Sequence, residues 1–359
     1  MIQQDRPKGL RLVSFDGGGV QGLWSLLVLQ QLMESVGNPL PWEHFDMMAG
    51  TSTGALIAIM LGVLRLDVKT CIELYVEMMD DVCRQVSRCP VTGTLKLKPR
   101  YSSQALKRGI LKAISKAGFA TPENVCFRPA TEPACKVVVV ATCAGMSIPT
   151  TFTSYRQLGE PHISMFDQVK IWEVALASTA APTMFEETII TYNGLTSTFV
   201  EGALKVSNPV DVLWQHAEDW WMDHWQLPTT RPGDQHVCCI VSIGTGLQTL
   251  KHAGRYAHQL IKSLAKMANE TRDTNDRFQS AHRRVVEEGK FFRFDLPTME
   301  DIQLRETVQK DVIAARVRAD GETGAMRQLL LNYRWHQYTH DDHGVHWRDQ
   351  TGAHKEENR

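Results

Sequence analysis

Residues 45–64 read FDMMAGTSTGALIAIMLGVL, and the fold turns on how this stretch divides. Phe45 to Ala49 is a run of strand length that is apolar apart from Asp46, and Ala55 to Leu64 is an apolar run of helical length. Between them stands Gly50-Thr51-Ser52-Thr53-Gly54, whose two glycines permit a tight turn from strand to helix. Strand, turn and helix in immediate succession are the building unit of an α/β layer structure. The same unit occurs upstream: residues 10–15 form a strand candidate that stops at Asp16-Gly17-Gly18-Gly19, and residues 23–36 carry apolar side chains at helical spacing.

Downstream, residues 67–83 and 102–117 have amphipathic patterns that predict covering helices. Residues 136–142 are a β-branched run without alternation, as expected of a central strand buried on both faces, and residues 150–155 predict a neighbouring strand. A helix is expected over 169–177, ending near Pro182, and a hairpin around Asn193-Gly194. Residues 197–200 then lead into Glu201-Gly202-Ala203, and residues 238–243 form a last buried strand before Gly244-Thr245-Gly246. From about residue 250 the composition shifts toward charge, with a polar helical stretch to Val286, a strand over 291–294 and a helix near 325–333. The pattern predicts an α/β fold with a mainly parallel central sheet flanked by helices. No linker separates its parts, so residues 8–333 are expected to be a single domain. Its motif-bearing part is 8–245 and its helical C-terminal part 250–333, with a His- and charge-rich tail over 334–359.

Composition narrows the function classes. The 359 residues are 43% hydrophobic and 22% charged, which is globular usage. Lys and Arg number 39 against 40 Asp and Glu, so no basic field exists to hold nucleic acid. No apolar run approaches the roughly 20 residues of a membrane span, and the polar first nine residues lack the apolar core of a secretory signal. The eight cysteines form no CxxC pair, which fits free thiols and a cytoplasmic location.

Gly50–Gly54 fits the G-x-S-x-G nucleophile elbow, in which a strained turn lifts a serine hydroxyl clear of the sheet at a helix N-terminus. A serine needs a base, yet none of the thirteen histidines follows a strand in the manner of a catalytic loop. The His340–His346 cluster reads as solvated tail, and no metal site or calcium loop is evident. Residues 16–22, DGGGVQG, lack both dinucleotide-binding spacing and a P-loop lysine. Successive glycines can instead turn backbone N–H groups inward as an oxyanion nest. Paired with an elbow serine, that nest implies acyl transfer.

At these residues the chain resembles the patatin-like phospholipases, in detail the fungal intracellular members. Asp16–Gly22 is similar to the family's glycine-rich loop, Gly50–Gly54 to its elbow, and Glu201–Ala203 to the block carrying its acid. Residues 177–185, ASTAAPTMF, and Asn208-Pro209 also match family segments, so the resemblance spans about residues 8–245. It implies a three-layer sandwich and a serine–carboxylate dyad that hydrolyses lipid esters without a cofactor. Ser52 would be the nucleophile, Glu201 the base, and the amides of Gly17, Gly18, Gly19 and Thr53 the oxyanion hole. Glu201 stands where the family has Asp, and Gln21 where it has Arg or Lys. The extra methylene shifts the carboxylate, and the lost cation removes a partner for an anionic head group.

Three readings follow. The first is a serine lipid acyl hydrolase, the second a repurposed enzyme of small-molecule metabolism catalysing cyclisation, isomerisation or acyl transfer, and the third a catalytically weak lipid-binding scaffold. The substrate expected is a lipid or hydrophobic small-molecule ester, with peripheral membrane contact and no nucleic acid. Gln21, Trp214 and Trp221 are the candidate substrate-binding residues. Trp214, Trp220, Trp221 and Trp225 could line an apolar lip, although aromatic residues at helical spacing more often face a core.

Overall fold

The computed structural model describes residues 9–84, 99–157, 159–160, 164–225, 237–245 and 258–295. The expected helix at 325–333, the tail and Gly246 lie outside the described residues, as does the Trp221 side chain.

Among the described residues eight strands form one sheet: β1 (Leu10–Phe15), β2 (Met47–Thr51), β3 (Lys136–Cys143), β4 (Ile148–Thr153), β5 (Thr188–Tyr192), β6 (Leu195–Glu201), β7 (Val237–Ile243) and β8 (Phe291–Phe294). The order is β5-β6-β3-β2-β1-β7-β8, with β4 paired to β3. β3, β2, β1, β7 and β8 run parallel to their neighbours in that order, whereas β4 and β6 lie antiparallel to β3. The expectation of a mainly parallel sheet flanked by helices holds.

The sheet is covered on both faces, which is why its central strands are buried at nearly every position. Val13, Phe15, Met48, Val137 and Val139 enter one core, with α1 (Gly22–Ser35), α3 (Thr53–Ala58), α4 (Val68–Arg84), α5 (Ser103–Lys116) and α6 (Ile171–Thr179). The short α2 (Pro41–His44) leads into β2. The alternate residues Leu12, Met47, Ala49 and Val138 enter a second core, with α7 (Val210–Trp225), α8 (His258–Ala281) and α9 (Arg283–Glu287). In α4 the buried Cys71, Ile72, Tyr75, Met78, Met79 and Val82 recur at helical spacing and face α1 and α5. Ser102 caps α5 by accepting a hydrogen bond from Ala105 N–H at 3.2 Å.

One detail of the pairing positions the site. β3 pairs with β2 through residues 136–140 and with β6 through residues 141–143, while β4 occupies its other edge over 138–143. β2 and β6 therefore share one edge of β3 and meet end to end, because β2 runs with β3 and β6 runs against it. Thr51 is opposite Val140 and Glu201 opposite Ala141, so residues 51 and 201 occupy successive positions along β3.

Among the described residues no helix is long and apolar enough to cross a membrane.

Candidate active site

Ser52 links β2 to α3 with φ 54° and ψ −123°, a backbone region that L residues rarely occupy. The flanking glycines make this turn sterically feasible. A Cβ at Gly50 would lie 2.3 Å from the Gly54 carbonyl oxygen, and one at Gly54 would lie 2.2 Å from that of Phe15. Ser178 on α6 holds the strained residue. Its hydroxyl accepts the Ser52 N–H at 2.9 Å and donates to the Val140 carbonyl at 2.6 Å, tying the elbow to β3. Ser178→Ala leaves both backbone groups buried without partners. We expect a fall in kcat of about tenfold with KM little changed, read from steady-state kinetics on a soluble ester.

The Ser52 hydroxyl donates to Glu201 Oε1 at 2.6 Å, within the range for proton transfer. The longer side chain thus reaches the nucleophile from the end of β6. Glu201 is itself fixed by its backbone, whose N–H donates to Ala180 O at 3.0 Å and whose carbonyl accepts from Thr142 Oγ1 at 3.0 Å. The following glycine is required, since a Cβ at Gly202 would sit 2.3 Å from Val140 O. Burial pushes the Glu201 carboxyl up to about 7, against the smaller downward pull of the Ser52 hydrogen bond. Among the described residues, Glu201 is the only side chain to which the Ser52 hydroxyl is hydrogen-bonded.

The glycine loop lies beside this pair, and a Cβ at Gly17 would stand 3.2 Å from Ser52 Cβ. The four amides expected as donors are not equivalently engaged. Gly17 N–H donates to Ser207 O at 3.1 Å and Gly18 N–H to Thr53 Oγ1 at 3.2 Å, so both are engaged elsewhere. Among the described residues the amides of Gly19 and Thr53 show no such acceptor. Tyr75, fully buried on α4, donates its hydroxyl to Gly19 O and so orients that peptide from behind. Gln21 is buried at the start of α1, and its N–H donates to Gly18 O at 3.2 Å.

Trp214 belongs to the second core, where its ring lies 6.0 Å from that of Phe278 and 4.4 Å from that of His282. Trp214 is therefore core packing between α7, α8 and the sheet and not part of an exposed lip.

Sequence reading missed three supports, two of them from the C-terminal part. Arg293 on β8 reaches the head of the glycine loop and donates to both oxygens of Asp16, at 3.0 and 2.6 Å. It also donates to Ser242 Oγ on β7 at 2.8 Å and to Asp295 at 2.9 Å. Burial works against the Arg293 charge, but the carboxylates of Asp16 and Asp295 outweigh it and raise the guanidinium above its ordinary value. Glu270 on α8 accepts the Ser207 N–H at 2.7 Å, steadying the carbonyl that holds Gly17. Thr245 Oγ1 donates to Gly17 O at 2.9 Å. The one signal available was a lone arginine within the apolar run FFRF, which marks a buried charge in need of a partner.

A family model described as patatin-like phospholipase matches residues 13–214, more than half of the chain. The chain is 29% identical over 310 residues to the calcium-independent phospholipase A2-gamma of Homo sapiens, covering 84% of this chain and 36% of that protein. It is 25% identical over 288 residues to Phospholipase A I of Arabidopsis thaliana, covering 67% and 21%. The chain thus spans about a third or less of the length of these relatives. Among solved structures, VipD from Legionella pneumophila aligns with a TM-score of 0.37 at 13% identity, covering 90% of this chain and 67% of that one.

Proposed function

The chain belongs to the patatin-like phospholipase family, and from that premise we propose that it is a serine lipid acyl hydrolase working through a Ser52–Glu201 dyad. The observation that carries the reading is the 2.6 Å hydrogen bond from a strained elbow serine to a buried carboxylate.

Glu201 Oε1 takes the Ser52 proton as Oγ attacks the ester carbonyl. The resulting oxyanion is received by the N–H groups of Gly19 and Thr53. Protonated Glu201 then gives its proton to the departing alcohol oxygen as the carbon–oxygen bond breaks, leaving an acyl-serine. Water repeats the cycle: Glu201 accepts its proton, the hydroxide oxygen attacks the acyl carbon, and the proton returns to Ser52 Oγ as the fatty acid leaves. A carboxyl titrating at about 7 suits both halves, because it is base and conjugate acid near neutral pH. Glutamate in place of aspartate is accommodated because β6 stops one position along β3 from the elbow.

The same proposal includes action from the cytoplasmic side of a membrane, in keeping with seven free cysteine thiols among the described residues. It also treats residues 8–333 as one folding unit, supported by β8 pairing in register with β7.

The test is release of fatty acid from phosphatidylcholine in mixed micelles, with labelling of the protein by a fluorophosphonate. Absence of both would sink the reading. The pH profile is a sharper check. Activity needs ionised Glu201, so kcat/KM should rise with pH up to about 7 and then level, well above the limb of an ordinary carboxylate. The sign for stability is opposite. A folded-state pKa raised above 4.5 means the native protein holds the proton more tightly than the unfolded chain, so this group's contribution declines as pH rises from 4.5 to about 7.

A further inference from the structure

Of the large apolar side chains most open to solvent among the described residues, four sit on two neighbouring hairpins: Met146 (67% exposed), Ile148 (52%), Ile189 (64%) and Leu195 (76%). Met146 lies in the turn between β3 and β4, Ile148 opens β4, Ile189 is in β5 and Leu195 opens β6. Ile148 and Phe199 both pair with Cys143, from opposite edges of β3, so the two hairpins stand side by side.

They also stand above the dyad. Cys143 lies two positions beyond Ala141, the partner of Glu201, toward the end of the sheet at which β2 delivers Ser52. At about 3.3 Å per residue, Ile148 rises roughly 7 Å past Glu201 along the strands, Ile189 (opposite Thr198) roughly 10 Å, and Leu195 roughly 20 Å.

The chemistry of these hairpins is uniform. Residues 143–154, CAGMSIPTTFTS, and 188–199, TIITYNGLTSTF, contain no ionisable acid or base apart from Cys143 and Tyr192, in a chain that is 22% charged. Single exposed apolar residues are ordinary, but a group at one end of the fold signals a contact surface. Its lack of charge offers a protein partner little basis for specificity, and a protein seated there would cover the approach to Ser52. Short hydroxyl and amide side chains around apolar tips suit the margin between head groups and acyl chains, with Tyr192 half-buried among them.

We propose that the two hairpins form a docking lip whose Met146, Ile148, Ile189 and Leu195 enter an electrically neutral phospholipid surface. The proposal rests on the reading of Ser52 and Glu201 as a lipid acyl hydrolase and supplies the surface on which that site works. Docking is apolar, so it requires neither anionic lipid nor low salt.

The test uses the full chain carrying Ser52→Ala, floated with vesicles of pure phosphatidylcholine at about 0.05 and 0.5 M salt. The bound fraction should be equal at both salt levels and should fall about tenfold or more when Ile189→Ser and Leu195→Ser are added. On the Ser52 background, the same pair of substitutions, or Met146→Ser alone, should lower release of fatty acid from the vesicles while leaving turnover of a soluble short-chain ester intact. Soluble turnover that falls in parallel in both variants assigns the hairpins a structural role and overturns the proposal. So do undiminished vesicle binding, binding only to vesicles containing phosphatidylserine, and a dimer that the substitutions dissociate without affecting vesicles. If no ester is hydrolysed by the unsubstituted protein, the hydrolase reading falls by itself, because flotation of Ser52→Ala reads docking without catalysis.

Discussion

Ser52→Ala is expected to lose ester turnover by about 10⁴-fold or more and to take up no fluorophosphonate, since among the described residues no second nucleophile is hydrogen-bonded to the Glu201 carboxylate. Glu201→Gln should come close to it, because the amide keeps the shape of the contact and cannot accept the proton. The informative member of the series is Glu201→Asp, which restores the residue the family resemblance leads one to expect. With glutamate the oxygens meet at 2.6 Å, so a side chain shorter by one methylene withdraws the carboxylate by roughly a bond length. Turnover should fall about 10²-fold with fluorophosphonate labelling slowed in proportion. Activity that rises in Glu201→Asp would show that the backbone of β6 is set for aspartate, contrary to the 2.6 Å contact that glutamate makes.

The second large effect is expected at Arg293, outside the residues that match the family model. Arg293→Met leaves Asp16, only 1% exposed, without its counter-charge. Breaking such a buried pair costs about 3–5 kcal/mol, which corresponds to a fall in Tm of about 10 °C. Arg293→Lys keeps the charge and loses the two-pronged geometry. The decisive variant is Asp16→Asn with Arg293→Met, in which neither charge remains. Its Tm should recover most of the loss, while kcat stays about tenfold or more below the unsubstituted value because Gly17 to Gly19 have lost their anchor. Recovery of both would mean that the pair stabilises the fold without aligning the loop.

What the sequence disclosed follows from what is local. The runs at 10–15 and 291–294 are bounded by their own turn residues, and β1 and β8 begin and end there. The strand expected over 150–155 is displaced to Ile148–Thr153 because antiparallel register is set by its partner, Cys143 facing Ile148, and not by its own composition. The helix expected from 169 starts at Ile171, where Glu173 accepts the Lys170 N–H at 2.8 Å and Lys170 is itself bridged to Cys126. In the site, the turn chemistry of Gly50–Gly54 and Glu201–Ala203 was legible because only glycine fits between the crossing backbones. The engagement of the Gly17 and Gly18 amides was not, because it depends on Ser207 and Thr53 as acceptors. Nor was Arg293, which meets Asp16 across 277 residues of chain.

The end-to-end meeting of β2 and β6 on one edge of β3 also bears on the folding of the chain. Ser52 and Glu201, the proposed dyad, are 149 residues apart, and their contact requires both the parallel β2 and the antiparallel β6 to be seated on β3. Contacts of such separation carry a large loop-closure cost and form late. On the proposed dyad, catalytic power is thereby conditional on completed topology, so a half-folded chain that exposes apolar surface would meet lipid as an inert protein.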